Sequence, residues 1–385
     1  MKLHKGVATL ANVIVTVFLI SLLLSCSSPA EKEKEQEFKE LKEIKIGAIL
    51  PLTGPMSFLG EDEKKAIELS VKNTNSKHNK EIIKVLFEDS KGSPNEAVTV
   101  ANKLMNVDKV SAFITSTYAI SEVILPIANK NKIIIAMLCM DPDIQKESPY
   151  AFRLYESMFA EANQLLEYYK KNKEKKKVVI LYLNHPDTVK ELTVYLIPGF
   201  LKSRINVVYY EPYKAEEKDF KTKIERLKHS GANSLLLIGH GFEYVSLFKE
   251  LARQKLLGKI EITGGWGFIM PNNIPANLLE GAIVAGPKYI FLKNEKAKQF
   301  EESFSKAYGY APDLDTTFAY HGMNILAEGL INGLIGKKGN PDTVSYKLIN
   351  SIHDGVMGEV SIDSYGGLEV PMGLGIIRQG KIVPY

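Results

Sequence analysis

"KIIIAMLCMDPD" (Lys132–Asp143) reads as a strand covered on both faces that runs out into a loop. Ile133, Ile134, Ile135 and Ala136 are consecutive and aliphatic, with no polar alternation. That is the pattern of a central strand in a parallel sheet. Pro142 and its neighbours end the run. A strand with two covered faces needs helices on both sides of its sheet, so the flanking sequence should alternate strand and helix.

It does. "IKIGAIL" (44–50) predicts a strand and "EDEKKAIELSVKN" (61–73) an amphipathic helix; "IIKVLFED" (82–89) predicts the next strand. "SPNEAVTVANKLMN" (93–106) opens with Ser93 as N-cap, Pro94 at the first helical position and Glu96 closing a capping box. Ala97, Ala101, Leu104 and Met105 share one face of that helix. "SAFIT" (111–115) is a strand and "SEVILPIANK" (121–130) a helix despite Pro126. The pattern then restarts. A helix at 157–171 precedes the strand "KVVILYL" (177–183), and a helix at 186–202 carries Pro198 as its expected kink. "NVVYYE" (206–211), "DFKTKIERLKHSG" (219–231), "NSLLLIG" (233–239), "EYVSLFKELARQ" (243–254) and "KIEIT" (259–263) continue the alternation, with Asp219 as an N-cap and Gly231 as a helix-ending glycine. Long helices follow at 294–307 and 315–335. Two such units predict an α/β chain of two doubly wound parallel-sheet lobes, and 385 residues suffice for both. In an open α/β sheet, ligands sit beyond the carboxyl ends of the strands.

A hydrophobic content of 45% and a charged content of 24% are those of a globular protein. The formal charge of +4 is too balanced, and the basic residues too scattered, to point to nucleic acid. Two cysteines exclude a disulfide framework. At the amino end, Lys2 and Lys5 precede the apolar run "VIVTVFLISLLL" (Val13–Leu24), which closes on "LLSC" (Leu23–Cys26). This is the layout of a secretory signal, residues 1–25, and its ending resembles the bacterial lipobox, in which the cysteine is acylated. An uncleaved membrane helix is the rival reading, but the run falls short of the roughly 20 residues that a span needs. On the lipobox reading Cys26 carries lipid, Cys139 has no partner, and the Glu/Lys-rich residues 26–43 are a solvated tether at the membrane surface.

Motifs for turnover are missing. The chain holds no G-x-G-x-x-G, no G-x-x-x-x-G-K-[ST], no H-E-x-x-H, no C-x-x-C and no G-x-S-x-G. No clustered metal spacing is present, and no cofactor is expected. Cys139 with His240 is the one nucleophile–base pair that strand ends could bring together. A small buried apolar role for Cys139 is the preferred reading. The chain therefore reads as a binding protein before an enzyme.

Four stretches in order resemble the leucine/isoleucine/valine-binding proteins, the solute-binding proteins of branched-chain amino acid ABC transporters. They are "IKIGAILPLTGPMSFLGED" (44–62), "FEDSKGSPNEAVTVANKLMN" (87–106), "AFRLYES" (151–157) and "EEKDFKTKIERLKHSGANSLLLIG" (216–239). The resemblance implies the type I periplasmic binding protein fold, with three hinge crossovers near 154–158, 286–290 and 363–367. "SIDSYGGLEVPMGLGII" (361–377) suits the third, with Gly366 and Gly367 at its turn. Lobe 1 would then be 44–156 plus 288–365, and lobe 2 would be 157–287 plus 366–385. A ligand in the interlobe cleft closes the lobes, and an ABC permease with its ATPases recognises the closed shape. With the lipobox reading of Cys26, this makes the expected protein a monomer of the cell envelope, extracytoplasmic and lipid-anchored.

Carried over residue by residue, "GPMSFLG" (54–60) offers Phe58 or Leu59 as the aromatic or apolar wall. "TSTYAIS" (115–121) offers Ser116, Thr117 and Tyr118 to hold a ligand carboxylate at a helix start. "IGHGF" (238–242) puts His240 where the family supplies an aromatic from lobe 2. Two positions depart from the amino-acid pattern. Met140 stands near the family's hydroxyl residue, and Trp266, in "TGGWGF" (263–268), stands where the family holds an acid for the α-ammonium. Leu138, Cys139 and Met140 facing Trp266 and His240 predict an apolar, polarizable cleft with no partner for an ammonium, unless Asp141 or Glu243 turns inward. The expected ligand is accordingly an aromatic or aliphatic carboxylate, a short amide or a modified amino acid rather than free leucine. A different class of function stays open: a membrane-anchored receptor or assembly lipoprotein that uses the same fold to contact another protein.

Overall fold

The first sheet is wound in the order β2-β1-β3-β4-β5 from β1 (Ile44–Leu50), β2 (Ile83–Asp89), β3 (Ala112–Ser116), β4 (Ile134–Leu138) and β5 (Ala151–Arg153), all parallel. This computed structural model describes residues 38, 40–171, 176–269, 274–335 and 339–385; the signal and Cys26 lie outside the described residues. The opening stretch behaves as its composition requires. Along β4 and just past it, Ile134, Ala136 and Leu138 enter one core layer, while Ile135, Met137 and Cys139 enter the other. Both faces of β4 are covered by helices, so polar alternation has no place in it.

The second lobe repeats the winding. Its parallel part runs β7-β6-β8-β9-β10 from β6 (Lys177–Leu183), β7 (Asn206–Tyr213), β8 (Ser234–Ile238), β9 (Glu261–Gly264) and β10 (Ile283–Pro287). β8 is buried along its whole length, whereas the edge strand β7 alternates exposed and half-buried residues. A small antiparallel sheet of β11 (Ile352–Gly355), β12 (Gly358–Ile362) and β13 (Leu368–Glu369) packs on the first lobe. Antiparallel β14 (Met372–Arg378) and β15 (Lys381–Pro384) extend the second sheet beyond β10. The sequence reading lacked β5 and β10 to β15, which are short or glycine-interrupted, and the helix Pro341–Leu348.

Several local expectations change. The first helix starts at Ser57, not Glu61, and runs to His78. Ser93 has N-cap backbone geometry, but its side chain makes no capping bond. Asp219 accepts the amide of Lys221 at 2.9 Å, yet the capping position belongs to Phe220. The helix that carries Pro198 absorbs the proline differently from a kink. A π-helical turn, Glu191–Leu196, links Pro186–Lys190 to Ile197–Ser203, which places Pro198 in the first turn of the last segment. There the missing amide costs least.

Three crossovers join the lobes. The first follows β5 at Leu154–Ser157, and the second follows β10, where Tyr289 enters the first lobe's core. The third lies at Val370–Pro371. Gly366 and Gly367 instead form the turn into β13, which still pairs with β12 of the first lobe. The crossovers lie side by side: the amide of Arg153 donates to Gly366 O at 2.9 Å, and that of Lys288 to Pro371 O at 2.8 Å.

Close packing above β1 gives a test. A methyl on Gly60 would stand 2.4 Å from the Pro51 carbonyl oxygen, whereas one on Gly92 meets nothing within 4 Å. Gly60→Ala should lose about 1–3 kcal/mol of unfolding free energy to overpacking, even though alanine is the better helix former. Gly92→Ala should lose only the cost of its left-handed backbone, about 1 kcal/mol. Urea denaturation reads both, and equal losses would contradict the packing argument.

Candidate ligand-binding cleft

In each lobe the strand order reverses beside the first strand, between β1 and β3 and between β6 and β8. The loops that leave those strands diverge, and a ligand site forms at that split. Here the two splits face one another. After β1, Asp89 accepts the amides of Leu52 at 2.9 Å and Thr53 at 3.2 Å, which fixes the loop that presents Phe58. After β8 comes Phe242. The rings of Phe58 and Phe242, each about half exposed, meet edge to face across the lobes with centroids 5.8 Å apart. Phe242, rather than His240, is therefore the second lobe's outer aromatic; it sits at the end of the same "IGHGF" stretch.

Deeper in, His240 is half-buried and packs its ring against His185 at 5.0 Å and Trp266 at 5.5 Å. Burial, reinforced by His185, lowers the His240 pKa to about 4, so the imidazole is neutral. Trp266 is half-buried as well. Its indole N–H donates to the hydroxyl of Tyr155 at 3.1 Å, and its backbone amide donates to Glu161 Oε2 at 2.9 Å. Thr117 ends β3 with φ 67° and ψ 154°, a conformation normally left to glycine. Such strain costs on the order of 1–3 kcal/mol and marks sites where the backbone is held for a purpose.

The other sequence-predicted residues divide. Leu59 is half-buried beside Phe58. Ser116 is buried and its hydroxyl is committed to Glu63 Oε1 at 2.9 Å. Tyr118 starts its helix half-buried and donates to Glu122 at 2.8 Å. Leu138 and Cys139 are packed in the core layers on either side of β4 rather than along the cleft, which leaves Met140 as the half-buried part of that exit. Burial pushes the Cys139 thiol up to about 12, so it is no nucleophile for His240 to activate. Asp141 is engaged by Lys190, which reaches across from the second lobe and also lies 3.4 Å from Asp143. Glu243 accepts the amide of Glu216 at 3.0 Å.

Five acids that the sequence reading did not single out are buried beside this region. Glu161 and Asp315 lie in the first turns of their helices, Glu63 in the second turn of its helix, Glu191 where the helix begun at Pro186 turns π-helical, and Glu156 in the first crossover. The Trp266 amide and the Tyr155 hydroxyl, itself bonded by the Trp266 indole, tie Glu161 and Asp315 to the aromatic side of the cleft. All five are buried, between 1% and 6% exposed. They form a continuous group. Glu63 lies within electrostatic reach of Asp315, Asp315 and Glu161 of Glu156, and Glu191 of both Glu156 and Glu161. Tyr155 ties the group to the aromatic wall: its hydroxyl bonds Asp315 and its ring stacks on Phe318 at 4.1 Å. Burial raises the carboxyl pKa of Glu161 and Asp315 to about 7, and burial with mutual repulsion raises those of Glu63, Glu156 and Glu191 well above the usual range.

Part of this was visible in the sequence. Glu63 shares a helix face with Ala66, Ile67 and Ser70, and Glu161 shares one with Leu165 and Tyr168, all buried. An acid in register with an apolar stripe is the signal. Among the described residues no group of His, Cys, Asp and Glu is arranged to hold a metal ion, and no helix is long and apolar enough to cross a membrane. A cavity of about 580 Å³ lined by Lys77, Asn324, Glu328 and His353 opens at the far ends of the first-lobe helices, away from the cleft.

Comparison with known proteins agrees with this architecture. The family described as "Periplasmic binding protein" matches residues 43–374. The Leu/Ile/Val-binding protein homolog 3 of Brucella melitensis is 24% identical over 344 residues, covering 86% of this chain and 89% of that protein. The Escherichia coli K12 Leu/Ile/Val-binding protein is 22% identical, covering 64% and 68%. A solute binding protein of an ABC transporter from Rhodopseudomonas palustris BisB5, in complex with 3,4-dihydroxy benzoic acid, superposes with a TM-score of 0.77 at 19% identity, covering 89% of this chain and 96% of its own. The branched-chain amino acid transporter substrate binding protein of Streptococcus pneumoniae, in complex with isoleucine, gives a TM-score of 0.73 at 21% identity, covering 89% and 98%.

The buried acids dictate a pH response. A carboxyl whose pKa is raised on folding stabilises the fold below its unfolded pKa and loses that contribution as pH rises through the folded value. For Glu161 and Asp315 the loss begins at about pH 4, where the unfolded carboxyls ionise, and is complete at about pH 7, where the folded ones do. His240 and His321, held neutral with pKa about 4, act oppositely but only below their unfolded pKa of about 6.5. Above about pH 6.5, where the histidines no longer oppose it, the ligand-free protein should therefore go on losing thermal stability as pH rises, by at most about 1.4 kcal/mol per pH unit for each acid that still holds its proton, with the share of Glu161 and Asp315 levelling off past about pH 7. Glu161→Gln with Asp315→Asn should flatten the slope in calorimetry. A flat or rising profile in the unmodified protein would contradict the assignment.

Proposed function

The chain belongs to the periplasmic binding protein family, and on that premise we propose that it is an extracytoplasmic solute receptor. It captures a small molecule between its lobes, closes by hinge bending and presents the closed form to an ABC uptake transporter. One observation carries this reading: the carboxyl ends of two identically wound sheets face each other, and side chains from both lobes meet across the gap, Phe58 on Phe242 and Asp141 with Lys190. A ligand that touches both lobes adds its contacts only to the closed state, which is the sole way that binding can shift the equilibrium. The three parallel crossovers supply the hinge, since bending there leaves both sheets intact.

Anchoring through lipid on Cys26 completes the reading. It rests on the "LLSC" ending of the apolar run and on the acid- and lysine-rich tether that follows. Ligand identity is a separate matter, because side chains rather than the fold decide it. Of the relatives above, one was solved with isoleucine and another with a dihydroxybenzoate, so closely similar lobes accommodate different chemistry in those proteins.

Two measurements test the proposal. Mass spectrometry of the mature protein should find acyl chains on Cys26, and Cys26→Ala should move the protein from the membrane to the soluble fraction. An unacylated, membrane-spanning amino terminus would remove the anchor. In small-angle scattering a bound solute should reduce the radius of gyration. Phe58→Ala with Phe242→Ala should weaken binding at least tenfold while leaving the unfolding midpoint nearly unchanged, because both rings are about half exposed. Unaltered scattering with a solute shown to bind would exclude hinge closure.

A further inference from the structure

We propose that the solute for which this cleft is built carries a net positive charge, with its cationic nitrogen seated on the carboxylates of Glu156, Glu161 and Glu191. The inference rests on the receptor reading above and narrows it to a ligand class. Its first support is unmet bonding. Glu156 is 1% exposed, and neither of its oxygens has a hydrogen-bond partner. Glu191 Oε1, Glu63 Oε2 and Asp315 Oδ2 are buried and equally bare. A buried carboxylate left without partners is strongly unfavourable, and several in one place add repulsion to desolvation. The compensation must come from protons or from a cation that enters the cleft.

Among the described residues, none bonds these oxygens as that cation. Arg153 is near enough to pull against the rise in the Glu156 pKa, but its guanidinium donates to the backbone oxygens of Tyr155 and Leu368. Lys190 is engaged with Asp141 and Asp143, and His240 is neutral. A metal ion is an unsuitable occupant, since no group of His, Cys, Asp and Glu among the described residues is arranged to hold one.

The second support is independent of charge. Half-buried aromatic rings stand beside the acids: the amide of Trp266 donates to Glu161, the Trp266 ring packs against His240, and Phe58 and Phe242 close the outer edge. Aromatic faces next to carboxylates recognise an organic ammonium or guanidinium, which a hydrated metal ion would not need. The raised carboxyl pKa values fit as well, since an entering cation takes over the role of protons that the ligand-free group retains. A ligand carboxylate is not excluded: the helix that begins at Tyr118 points its first amides at the same split. The shared chemistry is thus net positive charge, found in diamines, guanidino-amines and basic amino acids.

The test is calorimetric titration of the mature full-length protein in detergent at pH 7.5, after ligand removal by unfolding and refolding. The probes are putrescine and agmatine, which lack a carboxylate, ornithine, which has one, and leucine and 3,4-dihydroxybenzoate as uncharged and anionic references. At least one of the first three should bind tenfold or more tighter than either reference. Its affinity should fall at least tenfold in Glu156→Gln and in Glu191→Gln, both of which relieve repulsion and should fold at least as stably. Ornithine against putrescine separates basic amino acids from amines. Failure of all three cations to bind, or tighter binding of leucine or the benzoate, would overturn the charge assignment. So would affinities unchanged in both variants. Scattering on the same samples keeps the two readings apart. A cation that binds without compaction supports the ligand class and sinks the hinged receptor; leucine or the benzoate with compaction does the reverse.

Discussion

Arg153 connects the fold to the site. It closes the last strand of the first sheet, and its amide and guanidinium hold the turn and strand at Gly366–Leu368 against the first crossover. Fully buried, it is also the cation that acts on Glu156. A buried guanidinium needs partners for its donors, and two backbone carbonyls take its terminal nitrogens while Nε has none. That choice has two effects. The first-lobe segments that lead into the first and third crossovers are fastened to each other, and the neighbouring carboxylates are left without a bonded counterion.

The location of the cleft follows from winding rather than from any motif. Two parallel sheets of the same strand order, joined by crossovers that run side by side, leave their carboxyl ends opposed. Every helix that follows a strand then starts at the cleft. Short polar and acidic residues favour helix starts because the free amides and the dipole stabilise them. Glu161 and Asp315 are in the first turn of their helices. The fold thus tends to collect acids in the cleft. In this chain five of them are buried and within electrostatic reach of one another, while Lys190 is engaged with Asp141 and Asp143.

Legibility in the sequence tracked how strongly a pattern was forced. β4 was plain because both of its faces are buried, and the helices with clear stripes, such as Met158–Lys171, were placed within a residue. Strands β11 to β15 were not, because they are short, exposed or broken by glycine, and their pairing is set by distant partners. Toward the cleft, Phe58 and Trp266 each stand at the start of a helix, where position in the sequence leaves little choice of direction. Leu138 does not: side-chain direction alternates along a strand, so a shift of one residue exchanges core and cleft. The acid group escaped notice because its members come from four helices and a crossover, far apart in the chain. Only the packed structure makes them neighbours.

That separation bears on how the group is maintained. Glu156 lies between the lobes' own acids, with Asp315 on one side and Glu161 and Glu191 on the other. On the proposed reading, closing the lobes would bring like charges together, so an empty cleft would be biased against closure whenever the acids are ionised. Filling it with a cation reverses the sign of that interaction. The same carboxylates that penalise the empty closed form then favour the filled one, and the difference between the two is the free energy available to move the hinge. A neutral core at this place would fold more stably but would lack that coupling. Buried, unpaired acids at the meeting point of two lobes are therefore consistent with selection for a ligand-dependent change of shape over maximal stability.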